Sequence, residues 1–311
     1  MMIVRILKFI IAAVFAITSL YALSAYADED MRGVSNDDWR GLGVMSSGKG
    51  YAASPLGQVH YRDVGPRDDK HPIVLLHQSP MSMIQFASVQ NALVDLGFRA
   101  ITIDTPGYGN SDRPPHQPTI QEYASNLVYV LDHLKVGKIL VAGHHTGAQI
   151  AASFAANYPR RVIGVMLHGA AQLSAEERQK YLSYEFEPRT PKLDGSHLIK
   201  AFNLLPMSNQ EQSILNARTW LAITSFIQGP DIGHWAAFHY DMIPDLKAIN
   251  VPGMILTDTE DDVHYIDIRV SKIRPDFKYH VFSEGNLLEF MAQPKRWATI
   301  AAEFSKEIQK R

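Results

Sequence analysis

Six short runs of nearly uninterrupted apolar, mostly β-branched residues constrain this chain more than any other feature. They are HPIVLLH (71–77), RAITID (99–104), KILVAG (138–143), RVIGVMLH (161–168), GMILT (253–257) and YHVF (279–282). Continuous rather than alternating hydrophobicity suits parallel strands covered on both faces. Helical patterns lie between them. TIQEYASNLVYVLDHL opens with Thr119 and Glu122 at capping-box spacing, and the last helix follows Pro294 with apolar Trp297, Ile300, Ala301 and Phe304. This alternation predicts an α/β fold with a doubly wound, mostly parallel sheet. It stops between about Leu173 and Pro244, where helical and loop patterns follow one another without a buried strand. A helical cap over 173–244 is therefore expected, inserted between core segments 28–172 and 245–311 and roofing the carboxyl edge of the sheet.

A chain of 311 residues with 46% hydrophobic side chains can bury a sizeable core without covalent staples, and it contains no cysteine for disulfide or thiol chemistry. The formal charge is -2 and no long Lys/Arg run occurs, which argues against nucleic acid as a partner. A small-molecule substrate and no cofactor are expected; the oligomeric state stays open. At the N-terminus, Arg5 and Lys8 precede an apolar run from Phe9 to Leu23 and the small-any-small triplet Ala25, Tyr26, Ala27. The run is short of the ~20 residues that span a bilayer, so residues 1–27 read as an export signal cleaved after Ala27. The mature protein is then expected in a periplasm or outside the cell, with no membrane partner.

Several motifs together resemble the α/β-hydrolase superfamily over nearly all of the mature length: GQVHYRDVG from Gly57, LLHQSP from Leu75, DTPGYGNSDRP from Asp104, GHHTG from Gly143, and ILTDTEDD followed by EGNLLEFMAQPKRW. The resemblance implies a nucleophile exposed on a sharp strand-to-helix elbow, an acid after the MILT strand and a histidine on the last loop. Here the elbow position is His145, the acid position is Asp261 with Asp262 as its neighbour, and the last-loop position is Asn286. The usual serine and its usual base are both replaced.

An imidazole at the elbow reaches well beyond a serine hydroxyl, into space that the last-loop histidine would have filled. Asp261 is then the natural partner for one ring nitrogen. That bond would fix the tautomer and leave the other nitrogen as a base, with a starting pKa of ~6.5 that a carboxylate raises. A His145–Asp261 dyad activating water is the resulting expectation. The resemblance places the oxyanion hole at the backbone N–H groups of Ser79 and Thr146. Gln78 stands where the family has glycine and could present its amide to substrate, as could Asn286.

Trp235 and His239 are candidate substrate contacts from the cap, together with His234, Phe238 and Tyr240. Met81, Met83 and Ile84 could form an apolar wall. His144 and His77 are expected to be structural, and Glu284 and Glu289 to be solvated charges at a helix start. The leading reaction is hydrolysis of a small ester, lactone or other activated carbonyl. Lyase-type proton transfer and a catalytically dead ligand-binding protein are the alternatives. A further rival gathers His77, His145, His168, His264 and Asp261 around a divalent metal, although their spacing matches no local ligand motif.

Overall fold

The computed structural model describes residues 48–183, 191–203, 215, 218–220, 222, 231–283 and 288–310. Residues 1–27, expected as an export signal, Glu284, Asn286 and parts of 173–244 lie outside them.

Eight strands form one sheet: β1 (Lys49–Ser54), β2 (Gly57–Val64), β3 (Ile73–Leu76), β4 (Ala100–Ile103), β5 (Ile139–His144), β6 (Val162–His168), β7 (Gly253–Asp258) and β8 (Lys278–Phe282). Their spatial order is β1-β2-β4-β3-β5-β6-β7-β8. The β1–β2 hairpin is antiparallel and β2 lies antiparallel to β4, whereas every pair from β4 to β8 is parallel. Every residue of β3, β4, β5 and β7 is buried, which is why these runs show no alternation. The doubly wound fold read from the apolar runs is the fold observed.

Helices α1 (Ala87–Asp95), α2 (Ile120–His133) and α3 (Thr146–Asn157) follow β3, β4 and β5. Thr119 and Glu122 close both halves of the capping box on α2, each side chain taking up the backbone N–H of the other. Strand residues divide by parity between two cores. Val74, Leu76, Val141, Val165 and Leu167 pack with α2 and α3, while Ile73, Leu75, Leu140, Ala142 and Met166 pack with α1 and the last helix. That helix spans Pro294–Ile308 and buries Trp297 completely.

Between β6 and β7 the described residues hold helices α4 (Ala175–Leu182), α5 (Ser196–Phe202), α6 (Ile232–His239) and α7 (Ile243–Ala248). Ser174 and Glu177 form a second capping box at the start of α4. The remaining helices are α8 (His264–Ile273), α9 (Glu289–Ala292) and α10, the Pro294–Ile308 helix. Because β3, β5, β6 and β7 run in one direction, the segments that leave them meet at one edge of the sheet.

Candidate active site

The site is built at the turn from β5 into α3. His145 sits between them with φ 47° and ψ -112°, a conformation that non-glycine residues rarely adopt and that costs on the order of 1–3 kcal/mol. The surroundings enforce it. A Cβ on Gly143 would collide with the carbonyl of Gly147, and one on Gly147 would collide with the carbonyl of Leu76, so helix and strands approach too closely for any side chain. His145 N–H donates to the His168 carbonyl at 3.0 Å, and its own carbonyl accepts from Ala148 and Gln149. The strained residue is bonded on both sides.

His145 Nε2 lies 2.7 Å from Asp261 Oδ2. An ionised carboxylate only accepts, so Nε2 carries the proton and Nδ1 keeps its lone pair. The Asp261 side chain is 3% exposed, and its other oxygen accepts from the Val263 N–H at 3.0 Å. His145 is 27% exposed, and among the described residues its Nδ1 makes no hydrogen bond. Burial disfavours a charged imidazole, but the Asp261 carboxylate, helped by Asp267 and Asp258, outweighs it and raises the His145 pKa above its ordinary value. Asp261 is held well below the ordinary carboxylate range, because the histidines beside it overcome its burial. Asp262, the neighbouring candidate, is exposed.

His144 supports the ring from behind. Fully buried, it stacks on His145 with ring centres 4.0 Å apart and meets His168 and Phe290 edge-on. Its Nε2 is 3.8 Å from Asp261 Oδ2, too far for a hydrogen bond. Burial and the adjacent His145 push its pKa well down, so it is neutral. Beneath it Trp297 donates its indole N–H to His168 Nδ1 at 3.1 Å, and His168 Nε2 therefore donates to Asp258 Oδ2 at 3.0 Å. Trp297, His168 and Asp258 form a second buried relay under the first pair.

The turn after β3 faces the elbow. His77 braces it: Nε2 accepts from the Thr105 N–H at 2.9 Å, and Nδ1 donates to the Gln78 carbonyl at 2.7 Å. Gln78 is buried, its N–H on Gln85 Oε1 and its own Oε1 without a partner among the described residues. The N–H groups of Ser79 and Thr146 donate to nothing among the described residues; that of Thr146 is free because it opens α3. Met81 and Met83 are buried beside this turn, and the Met83 N–H donates to Asp104 at 2.8 Å.

The cap approaches this turn through the start of α6. Tyr108 donates its hydroxyl to Asp231 at 2.9 Å and accepts the Gly233 N–H at 2.7 Å. Gly233 lies so close to Ser79 that an added Cβ would strike its hydroxyl. Trp235 and His239, the expected cap contacts, stack on each other, and His239 is exposed with Nδ1 donating to the Trp235 carbonyl. Among the described residues neither makes a hydrogen bond or ring contact with His145 or Asp261. Asp231 caps this helix, and the glycine two residues on is where it meets Ser79.

Two further expectations change. Glu289 is not a solvated charge: it is fully buried, pairs with Arg296 at 3.1 Å, and sends its N–H toward Asp258. A carboxylate at that depth needs its guanidinium. The five-residue metal set does not assemble either, because His77 and His168 have both nitrogens engaged and His264 Nδ1 is held by Thr257. Among the described residues the only cluster of metal-binding side chains is His144, His145 and Asp261, whose ligand atoms lie within 4.8 Å of one another.

Residues 71–238 match the family described as the alpha/beta hydrolase fold. The chain belongs to this α/β-hydrolase family. Over 112 residues it is 35% identical to Epoxide hydrolase B of Mycobacterium tuberculosis, covering 35% of this chain and 32% of that protein. Over 116 residues it is 30% identical to a 2-hydroxy-6-oxononadienedioate/2-hydroxy-6-oxononatrienedioate hydrolase of Escherichia coli, covering 36% of this chain and 40% of that one. The chain thus spans less than half the length of these curated relatives. Among solved structures, a thermophilic esterase from Thermogutta terrifontis superposes with TM-score 0.68 at 21% identity, covering 84% of this chain and 99% of that one. The enol-lactonase from Burkholderia xenovorans LB400 does so with TM-score 0.65 at 20% identity, covering 83% and 100%. At such identities these two likenesses speak for the fold alone.

Proposed function

We propose that this α/β-hydrolase-family protein is an exported hydrolase of small esters, lactones or other activated carbonyl compounds, working through His145 and Asp261 without a serine nucleophile. The observation that carries the reading is the 2.7 Å contact between His145 Nε2 and Asp261, made from the elbow residue itself, with Nδ1 unbonded among the described residues. Such a ring is a base with a fixed tautomer and a raised pKa, and the amides of Ser79 and Thr146 supply donors for a developing oxyanion. The hydrolase names of the partial relatives agree in reaction class. Export rests on the N-terminal charge and hydropathy pattern.

The test is a screen of ester and lactone substrates with wild type, His145→Ala and Asp261→Asn, each with and without chelator. The proposal requires turnover that survives chelation and falls by about 10²–10⁴ in His145→Ala, the usual contribution of a general base. Loss of activity on chelation would transfer the chemistry to a metal at His144, His145 and Asp261. Ligand binding without turnover would identify a non-enzymatic binding protein.

A further inference from the structure

The backbone at residue 145 is that of a nucleophile-bearing elbow, and the side chain it presents has two nitrogens with different surroundings. Nε2 is occupied by Asp261. Nδ1 is two bonds from Cβ, one bond beyond the place of a serine oxygen, and it makes no hydrogen bond among the described residues. The free N–H of Thr146 follows immediately in the chain, as it does for an elbow nucleophile. One imidazole therefore fills both vacated places, with Nδ1 near the nucleophile's and Nε2 toward the base's.

We propose that His145 Nδ1 attacks the substrate carbonyl directly, so that the reaction passes through an acyl-histidine and is restricted to esters with acidic leaving groups: aryl esters, enol esters and enol lactones. This inference rests on the hydrolase reading and replaces water activation by covalent catalysis at the same residue. The Nδ1 lone pair forms the new C–N bond, and the carbonyl electrons move to oxygen, facing the amides of Ser79 and Thr146. The positive charge created on the ring is balanced by Asp261, which keeps hold of the Nε2 proton. Collapse of the adduct breaks the C–O bond and expels the alcohol portion as an anion. Water then adds to the acyl carbon, the C–N bond breaks with its electron pair returning to Nδ1, and the proton released from water neutralises the departed oxyanion. The sum is ester plus water to acid plus phenol or enol.

The limit on substrate follows from the lack, among the described residues, of an acid hydrogen-bonded to His145 that could protonate the leaving group. In a serine enzyme the imidazole that took the nucleophile's proton returns it to the departing oxygen. Here the imidazole is itself the nucleophile, and its remaining N–H is turned toward Asp261. In sequence the family's last-loop position is Asn286, an amide whose N–H groups donate hydrogen bonds but are not acidic. Tyr108 is buried, and burial with Asp231 nearby raises its pKa well above the ordinary value. Its hydroxyl proton is committed to Asp231. Unassisted departure favours an oxygen with the acidity of a phenol, pKa about 10 or below, since an alkoxide would lose to re-expulsion of the imidazole.

The experiment mixes the full chain with excess p-nitrophenyl acetate, follows nitrophenolate release by stopped flow, and maps acid-quenched protein by mass spectrometry. The expected result is a burst approaching one equivalent and an acetyl group on the peptide bearing His145. Both should be lost in His145→Gln, while exposed His116 and His239 remain unmodified. A steep fall in rate from phenyl to alkyl acetates is also expected. Linear release with no adduct on His145, or equal rates for phenyl and alkyl esters, overturns the nucleophile and leaves the water-activating hydrolase standing. An adduct that never turns over supports the nucleophile and sinks the hydrolase. Neither release nor adduct overturns both.

Discussion

Gly169, at the end of β6 with φ +56°, lies against the edge of His145: a methyl group there would sit 2.5 Å from the imidazole Cδ2 and 2.8 Å from Nε2. The ring is thus wedged between a glycine backbone, the face of His144 and the carboxylate of Asp261. Gly169→Ala should tilt the ring off Asp261. It should also destabilise the fold by about 1–3 kcal/mol, since alanine resists a positive φ. Thermal unfolding together with ester kinetics checks this: the expected outcome is a fall in kcat with a modest loss of Tm, and unchanged kcat would show that the wedge does not position the ring.

The pH dependence follows from the same contact. In the proposed mechanism His145 works as base or nucleophile only when Nδ1 is unprotonated, and Asp261 raises its pKa. Activity should therefore be low in acid and climb as pH rises through an inflection above the ordinary histidine value of 6.5. Asp261→Asn should shift that inflection to lower pH while reducing the plateau rate, because the ring titrates more easily yet loses its fixed tautomer and charge partner. A pH–rate profile of both proteins decides it; an inflection that stays in place would detach Asp261 from the titration.

Asp267 makes a prediction about stability. It accepts the Ala170 N–H at 2.6 Å, and burial raises its pKa from 3.8 to about 7. The native state then holds a proton that the unfolded chain releases, so stability contributed by this group falls as pH rises from the ordinary value through about 7. Asp267→Asn stays neutral throughout. Its Tm relative to wild type should be more favourable at about pH 8 than at about pH 5. A difference independent of pH would show that Asp267 does not titrate in that window.

The apolar runs were legible as parallel strands because a strand buried on both faces has to be apolar at every position, and β3, β5 and β7 are. The capping box at Thr119 was legible because its partners stand three residues apart. The elbow was legible because two glycines bracket a residue between a strand and a helix. What local pattern did not show was contact between separate elements. Glu289 looked solvated because its position at a helix start does not show that the fold buries it and turns Arg296 of the next helix onto it. Gly233, through what it lacks, lets its helix lie against Ser79, an approach that the residues around it in sequence do not announce.

By itself the sequence determined the sheet, the direction of its strands and the presence of an imidazole at a sharp strand-to-helix turn, since local periodicity and turn chemistry specify these. Only the tertiary structure decided what that imidazole can do. Asp261 lies 116 residues away in the chain, and its meeting with Nε2 depends on β5 and β7 flanking β6 at one edge of the sheet. The tautomer, the raised pKa and the unbonded Nδ1 all follow from that meeting, because hydrogen-bond direction and Coulomb interaction depend on distance in space and not on position along the chain.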